Sequence, residues 1–285
     1  MNPDYQLIRK LATYCAQAYE RADITDAATD AAAIVTLDEN DDIIVAFRGS
    51  RAPHDFIQDA KVEFTTLAYG HSAADLQSAS GADISADYKS AALSPEKVHA
   101  GFLQDFEAID LAVTSNVKTL MAATRGTRDP KSEIRDPKIY VTGHSLGGAL
   151  AQIASAVLAR DNIAACYTFG SPRVGTSKFD RLVKCPHYRV VNSWDLVPGV
   201  PPPWFGGYCH TGDPRLLTPR SAGQEALRRD RNELARLGVD VYALIMAGVS
   251  RSLLVVDDHM IWNYRTQLET IAAARSQPSG STPNV

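Results

Sequence analysis

One serine stands where the chain predicts a sharp turn between a strand and a helix. Ser145 is the centre of Gly143-His144-Ser145-Leu146-Gly147, after an apolar run at 139–141 and before an amphipathic stretch over 147–160. This setting is typical of a nucleophile elbow, with the serine at a helix N-terminus. The turn should strain the serine backbone and expose its hydroxyl, and side chains at the two glycine positions would collide with the strand and the helix. The alternative is a glycine-rich turn without chemistry.

A serine nucleophile needs a histidine base, and the base needs an acid that orients it. In chains of this type the order is serine, acid, histidine. Of the seven histidines, only His187, His210 and His259 follow the serine. His259 is the candidate base because it comes last, just before a helical stretch. We expect His210 to hold a structural strand position, His187 to open a strand and be exposed, and His144 to support the elbow.

Asp195 is the candidate acid because it directly follows the predicted strand 188–192. Loops after strand ends are where ligand chemistry collects in α/β sheets. The proline-rich segment 197–203 is stiff and would fix the carboxylate. Asp180 and Asp213 are weaker candidates, and a plain capping or turn role is the alternative for Asp195.

Ester cleavage passes through a tetrahedral oxyanion, which two hydrogen-bond donors usually stabilise. The amide of Leu146, directly after the nucleophile, is the first candidate. The second is Ser50, which ends the strand-like run 45–50 and offers an amide and a hydroxyl. Spacing alone leaves an ordinary strand-ending turn equally open for Ser50.

The elements around these residues predict an α/β fold, with a mostly parallel central sheet and helices on both faces. The apolar periodicity favours a hairpin of two strands, then strands alternating with helices. Predicted helices cover 4–20, 102–123, 147–160, 221–237 and 242–254, and predicted strands cover 32–37, 43–47, 138–142, 163–169 and 188–192.

Composition excludes several other classes of protein. The formal charge of −4 and the dispersed Lys and Arg lack the basic footprint of a nucleic-acid binder. The sequence contains no run of eighteen apolar residues, so a transmembrane segment is not expected. It also shows no signal peptide, so we expect a cytoplasmic protein unless a leader has been removed. The four cysteines lack the CxxC spacing of a zinc site and are expected to be buried free thiols rather than a disulfide. No metal or cofactor is expected.

Several motifs together resemble the class 3 lipases, which are α/β-hydrolases related to fungal triacylglycerol lipases. The resemblance covers about residues 34–268. It rests on motifs in a fixed order: Phe47-Arg48-Gly49-Ser50, Val98-His99-Ala100-Gly101-Phe102, Val141 to Ala151 around the elbow, Thr168-Phe169-Gly170-Ser171-Pro172-Arg173-Val174-Gly175, Asn192-Ser193-Trp194-Asp195-Leu196-Val197-Pro198, Asp258-His259 and Asn263-Tyr264.

The resemblance implies an α/β-hydrolase fold, a triad of Ser145, Asp195 and His259, and oxyanion donors Ser50 and Leu146. We expect a single domain over 1–275 with lid or cap insertions near 51–97 and 215–256, and a disordered tail over 276–285. A lid would contain Phe56 and Ile57. Leu244 and Ile245 would line an acyl channel, with packing on the core as the alternative.

The expected function is a lipase or esterase that hydrolyses acylglycerols through an acyl-enzyme. Among enzymes, the alternative is a phospholipase A1 or a carboxylesterase for small soluble esters. Both insertions border the expected active-site mouth, and the segments at the mouth decide between these substrates. A catalytically silent, lipase-like binding protein is the alternative from another class. An acyl-ester lipid is the expected partner, with transient contact to a lipid surface.

Overall fold

The structure is a computed structural model and describes residues 5–51, 64–66, 97–126, 136–158, 163–192, 195, 197–204, 206–217 and 259–276. Its helices are α1 (Tyr5–Glu20), α2 (Ala100–Glu107), α3 (Asp110–Gly126), α4 (Leu146–Val157), α5 (Ser177–Asp180) and α6 (Ile261–Ser276), with a 3-10 turn at Val197–Gly199. Its strands are β1 (Ile24–Thr25), β2 (Ala32–Leu37), β3 (Ile43–Phe47), β4 (Phe64–Thr66), β5 (Lys97–His99), β6 (Ile139–His144), β7 (Ile163–Phe169), β8 (His187–Asn192) and β9 (Asp213–Leu217). None of the described helices has the length and hydropathy needed to cross a membrane.

Seven strands form the central sheet in the order β1-β2-β3-β6-β7-β8-β9. Strands β2 and β3 pair antiparallel, as the predicted hairpin requires, and β3, β6, β7, β8 and β9 run parallel to one another. Strands β4 and β5 form a separate antiparallel pair. Because parallel strands end at the same edge, the segments after β3, β6 and β8 meet there. The predicted α/β fold with a mostly parallel sheet is confirmed.

Each face of the sheet carries its own hydrophobic core. One core packs α2, α3 and α4 on the sheet through side chains such as Phe106, Val113 and Leu150. The other packs α1 and α6 on the opposite face and includes Leu11 and Leu268, both fully buried. Helices on both faces leave the carboxyl edge of the strands as the place where loops converge.

The predicted helix over 102–123 is two helices, which is a correction. α2 ends at Glu107, and α3 begins at Asp110. Between them the amide of Ile109 donates to the Phe106 carbonyl at 3.0 Å, an i to i−3 bond that tightens the last turn. Asp110 then starts the new helix, where a carboxylate interacts favourably with the helix dipole.

All four cysteines are free thiols, as predicted. Cys15 and Cys166 are buried, whereas Cys185 and Cys209 are only half-buried, so the expectation of burial holds for two of the four. Burial raises the pKa of the Cys15 thiol to about 12 and so keeps it protonated. The fold therefore relies on packing rather than on a covalent cross-link.

Candidate active site

The elbow at Ser145 connects β6 to α4 with a strained backbone. The serine has φ 58° and ψ −128°, a conformation that side-chain-bearing residues rarely adopt. Its amide donates to the Phe169 carbonyl at 2.9 Å, which ties the turn to β7. A Cβ at Gly143 would lie 2.0 Å from the Gly147 carbonyl oxygen, and one at Gly147 would lie 2.3 Å from the Phe47 carbonyl oxygen. The collisions predicted for side chains at these glycines are confirmed.

Ser145, His259 and Asp195 form a continuous hydrogen-bonded chain. Nε2 of His259 lies 2.8 Å from the serine Oγ, and Nδ1 lies 2.8 Å from Oδ2 of Asp195. Since the carboxylate only accepts, Nδ1 carries the ring proton and Nε2 faces the hydroxyl as an acceptor. The structure thus brings together three residues that are 114 and 64 positions apart in the sequence.

Further contacts fix the carboxylate of Asp195. Its Oδ1 accepts from the Val197 amide at 2.9 Å, and its Oδ2 accepts from the Tyr264 hydroxyl at 2.6 Å. The same hydroxyl accepts from the Asn192 amide at 3.0 Å. Gly170 has φ 58°, and a Cβ there would lie 2.4 Å from Oδ2. Tyr264 and Gly170 were assigned no role from the sequence, because nothing local indicates partners that lie so far along the chain.

The three candidate catalytic residues are buried, which corrects the expectation of an exposed serine hydroxyl. Ser145 is 0% exposed, His259 is 1% and Asp195 is 5%. The imidazole occupies one side of the serine, and the loop after β3 occupies another: a Cβ on Gly49 would lie 2.9 Å from the serine Cβ.

The other histidines downstream of the serine have structural partners. His210 Nε2 lies 2.7 Å from the Pro198 carbonyl oxygen, in agreement with a structural role, but the residue lies before β9 and not in a strand as predicted. His187 begins β8 but is 6% exposed, so the expectation of exposure is wrong. Its ring nitrogens lie 3.2 Å from Thr168 Oγ1 and 2.9 Å from Thr211 Oγ1. These hydroxyls satisfy both ring nitrogens inside the sheet, which explains why a polar side chain can be buried there.

The candidate oxyanion donors lie beside the nucleophile. Leu146 is the first residue of α4, where an amide has no partner within the helix. Ser50 follows Gly49 in the loop after β3, and Phe47 in β3 is level with Gly143 in β6. The ends of the two strands therefore place this loop next to the elbow. Phe56, Ile57, Leu244 and Ile245, expected at the lid and the acyl channel, lie outside the described residues, as do most of both insertions and the tail.

Comparison with known proteins identifies a matching family and several relatives. The family model described as lipase (class 3) matches residues 44–205. The secreted mono- and diacylglycerol lipase 1 of Fusarium solani is 34% identical over 182 residues, which cover 62% of this chain and 44% of that protein. Phospholipase A1-II 4 of Oryza sativa subsp. japonica is 31% identical over 194 residues, which cover 60% of this chain and 42% of that protein. The chain thus spans less than half the length of these two relatives.

The fold has a similar counterpart among solved structures. The crystal structure of a lipase from Rhizopus microsporus var. chinensis superposes with a TM-score of 0.56 and 27% identity, covering 76% of each chain. The family match covers more than half of the chain and includes β3, the elbow and the loop that carries Asp195. The chain belongs to the class 3 lipase family.

Proposed function

We propose that the chain is a lipase-type serine hydrolase of carboxylic esters, with Ser145 as nucleophile, His259 as general base and Asp195 as the acid that orients the base. The observation that carries the proposal is the chain of two 2.8 Å hydrogen bonds from the serine through the imidazole to the carboxylate. A strained backbone at the serine adds support, because such strain collects at functional sites.

In the proposed acylation step, Ser145 Oγ attacks the ester carbonyl carbon while Nε2 of His259 takes the hydroxyl proton. The imidazolium that forms keeps its Nδ1 proton directed at Asp195, whose negative charge stabilises it. The tetrahedral intermediate then breaks its bond to the alcohol oxygen, which receives the proton from Nε2. An acyl group remains on the serine, and the free alcohol leaves.

The negative charge on the intermediate needs donors on the side away from the base. We assign the Leu146 amide and Ser50 to this role, each worth about 3 kcal/mol of transition-state stabilisation. A water molecule, activated by His259 in the same way, then attacks the acyl-enzyme. The carboxylic acid leaves, and the serine recovers its proton. These residues complete the cycle with general acid–base and nucleophilic chemistry.

Acylglycerols are the proposed substrate class. The similarity to a relative named as a secreted mono- and diacylglycerol lipase supports them. A phospholipid acyl ester is the second candidate, favoured by the relative named phospholipase A1-II 4.

Hydrolysis rates over a panel of esters test the proposal. The panel holds p-nitrophenyl esters of increasing chain length, emulsified di- and triacylglycerols, and phosphatidylcholine vesicles, with Ser145→Ala as the matched control. We expect the parent to hydrolyse acylglycerols fastest and the variant to be inactive on every ester. Fastest release of fatty acid from the vesicles would identify a phospholipase instead. Absence of turnover on the whole panel would contradict the hydrolase and favour a lipase-like binding protein.

A further inference from the structure

A single tyrosine in α1 connects the segments that carry the proposed chemistry. The hydroxyl of Tyr19 lies 2.8 Å from Nδ1 of His144, the residue directly before the nucleophile. On its other side, Nε2 of His144 lies 2.5 Å from the backbone carbonyl oxygen of His259. The tyrosine thus reaches the backbone of the candidate base through one imidazole, although α1 lies far from both in the sequence.

The protons in this chain can be assigned from the chemistry of the partners. The His259 carbonyl oxygen only accepts, so Nε2 of His144 must carry a proton and donate it. Burial, together with the neighbouring His259, holds the pKa of His144 well below its usual value, so the ring is neutral. Nδ1 therefore has a free lone pair, and the Tyr19 hydroxyl donates to it.

The tyrosine also contacts the loop that carries the candidate oxyanion donor Ser50. A Cβ on Gly49 would lie 2.3 Å from the Tyr19 hydroxyl oxygen, so only glycine allows this approach. Burial raises the pKa of Tyr19, and the backbone of Gly49 opposes that shift. The hydroxyl thus lies against the backbone of Gly49 while it donates to His144.

We propose that Tyr19 is a positioning residue that sets the oxyanion loop and the backbone of His259 relative to Ser145. The hydrogen bonds run in one direction, from the Tyr19 hydroxyl through His144 to the His259 carbonyl, and the same hydroxyl lies against the backbone of Gly49. Such chains polarise and strengthen their members. Without the tyrosine hydroxyl, Nδ1 of His144 loses its hydrogen-bond donor, so the ring that donates to the His259 carbonyl is held on one side only.

The test compares two tyrosines of the same helix. Tyr19→Phe keeps the ring, which packs edge-on to Trp262 at 6.0 Å, and removes only the hydroxyl. Tyr14→Phe is the matched control, because Tyr14 packs against the same core and its hydroxyl has no hydrogen bond within the described part of the chain. This inference rests on the proposed function, so kcat and KM are measured on a short soluble ester.

We expect Tyr19→Phe to lower kcat by about 10- to 100-fold with KM changed less than about threefold, since small errors in alignment are costly in rate. Tyr14→Phe should stay within about twofold of the parent. Equal rates for the two variants would overturn the proposal. So would a rise in KM at unchanged kcat, because lost packing or substrate contact explains that result.

A second measurement needs neither turnover nor a variant. Nitrogen-15 NMR of the parent reports which ring nitrogen of His144 carries the proton. We expect a neutral ring protonated on Nε2 across pH 5–8, whereas protonation on Nδ1 would overturn the proposal even if Tyr19→Phe failed to fold. A parent that hydrolyses no ester would contradict the proposed function alone, and the NMR result would still decide the hydrogen-bond chain.

Discussion

A buried histidine lies at each end of β8, and the two side chains have different partners. At the carboxyl end, His259 lies between the carboxylate of Asp195 and the hydroxyl of Ser145. At the amino end, His187 lies between two threonine hydroxyls. Burial is nearly equal, at 1% and 6% exposed. The carboxylate provides the difference, because it can stabilise an imidazolium and a threonine hydroxyl cannot.

The largest effect should come from exchanging each histidine for asparagine. His259→Asn removes the proposed general base and should lower kcat by about 10⁴- to 10⁶-fold per folded molecule. His187→Asn should keep kcat within about threefold per folded molecule and lower the free energy of unfolding by about 1–3 kcal/mol, because it leaves a threonine hydroxyl without a partner. Ester hydrolysis and urea unfolding measure both quantities. Reversed effects would mean that the wrong histidine has been assigned as the base.

A smaller effect is expected from the groups that hold the two rings. Asp195→Asn keeps the shape but introduces an amide nitrogen that cannot accept from Nδ1, and it should lower kcat by about 10⁴-fold. Thr211→Val is the matched change at the other end of the strand and should affect stability only. The two kcat values, measured on one soluble ester, provide the check. A loss of similar size in Thr211→Val would show that both ends of the strand act as one unit.

The contrast between the two ends of β8 bears on what the sequence could predict. The elbow, the parallel strands and the order serine–acid–histidine follow from local patterns, so Ser145, Asp195 and His259 could be selected from the sequence alone. Partners of a buried ring depend on side chains brought together from remote segments. His187 was therefore expected to be exposed, and the hydroxyl network around it had no local signal.

Edge strands and long-range supports were the other features that sequence reasoning missed. β9 contains Asp213, Pro214 and Arg215, which are uncommon in central strands and are tolerated here because the strand lies at the edge of the sheet. In the sequence, Tyr19 and Tyr264 look the same as tyrosines that only pack in the core. Only the positions of their hydroxyls in the folded chain distinguish them.

The last prediction concerns stability against pH, with no change in the chemistry. Burial, with smaller contributions from Arg189 and His210, lowers the pKa of His187 to about 3, whereas an unfolded histidine titrates near 6.5. Below about pH 6.5 the unfolded chain binds a proton that the native one does not, so stability falls on acidification until about pH 3. His99 and His210 have lowered pKa values of about 4 and 3 and act in the same direction.

Urea unfolding at intervals from pH 7 to pH 4 measures this dependence. His187→Asn should reduce the slope of unfolding free energy against pH by up to one proton, or about 1.4 kcal/mol per pH unit. Hydrolysis by His187→Asn, corrected for the folded fraction, should follow the parent over the same range. Stability that stays constant or rises on acidification would contradict neutral burial of these histidines.

The assignment of Ser145 as the nucleophile is tested most directly by peptide mapping after reaction with a fluorophosphonate. We expect one adduct per chain, located on Ser145. The adduct should be absent from Ser145→Ala and form far more slowly in His259→Asn, since the imidazole must take the proton of the hydroxyl. An adduct on a different serine, or ester hydrolysis that persists in Ser145→Ala, would contradict the assignment.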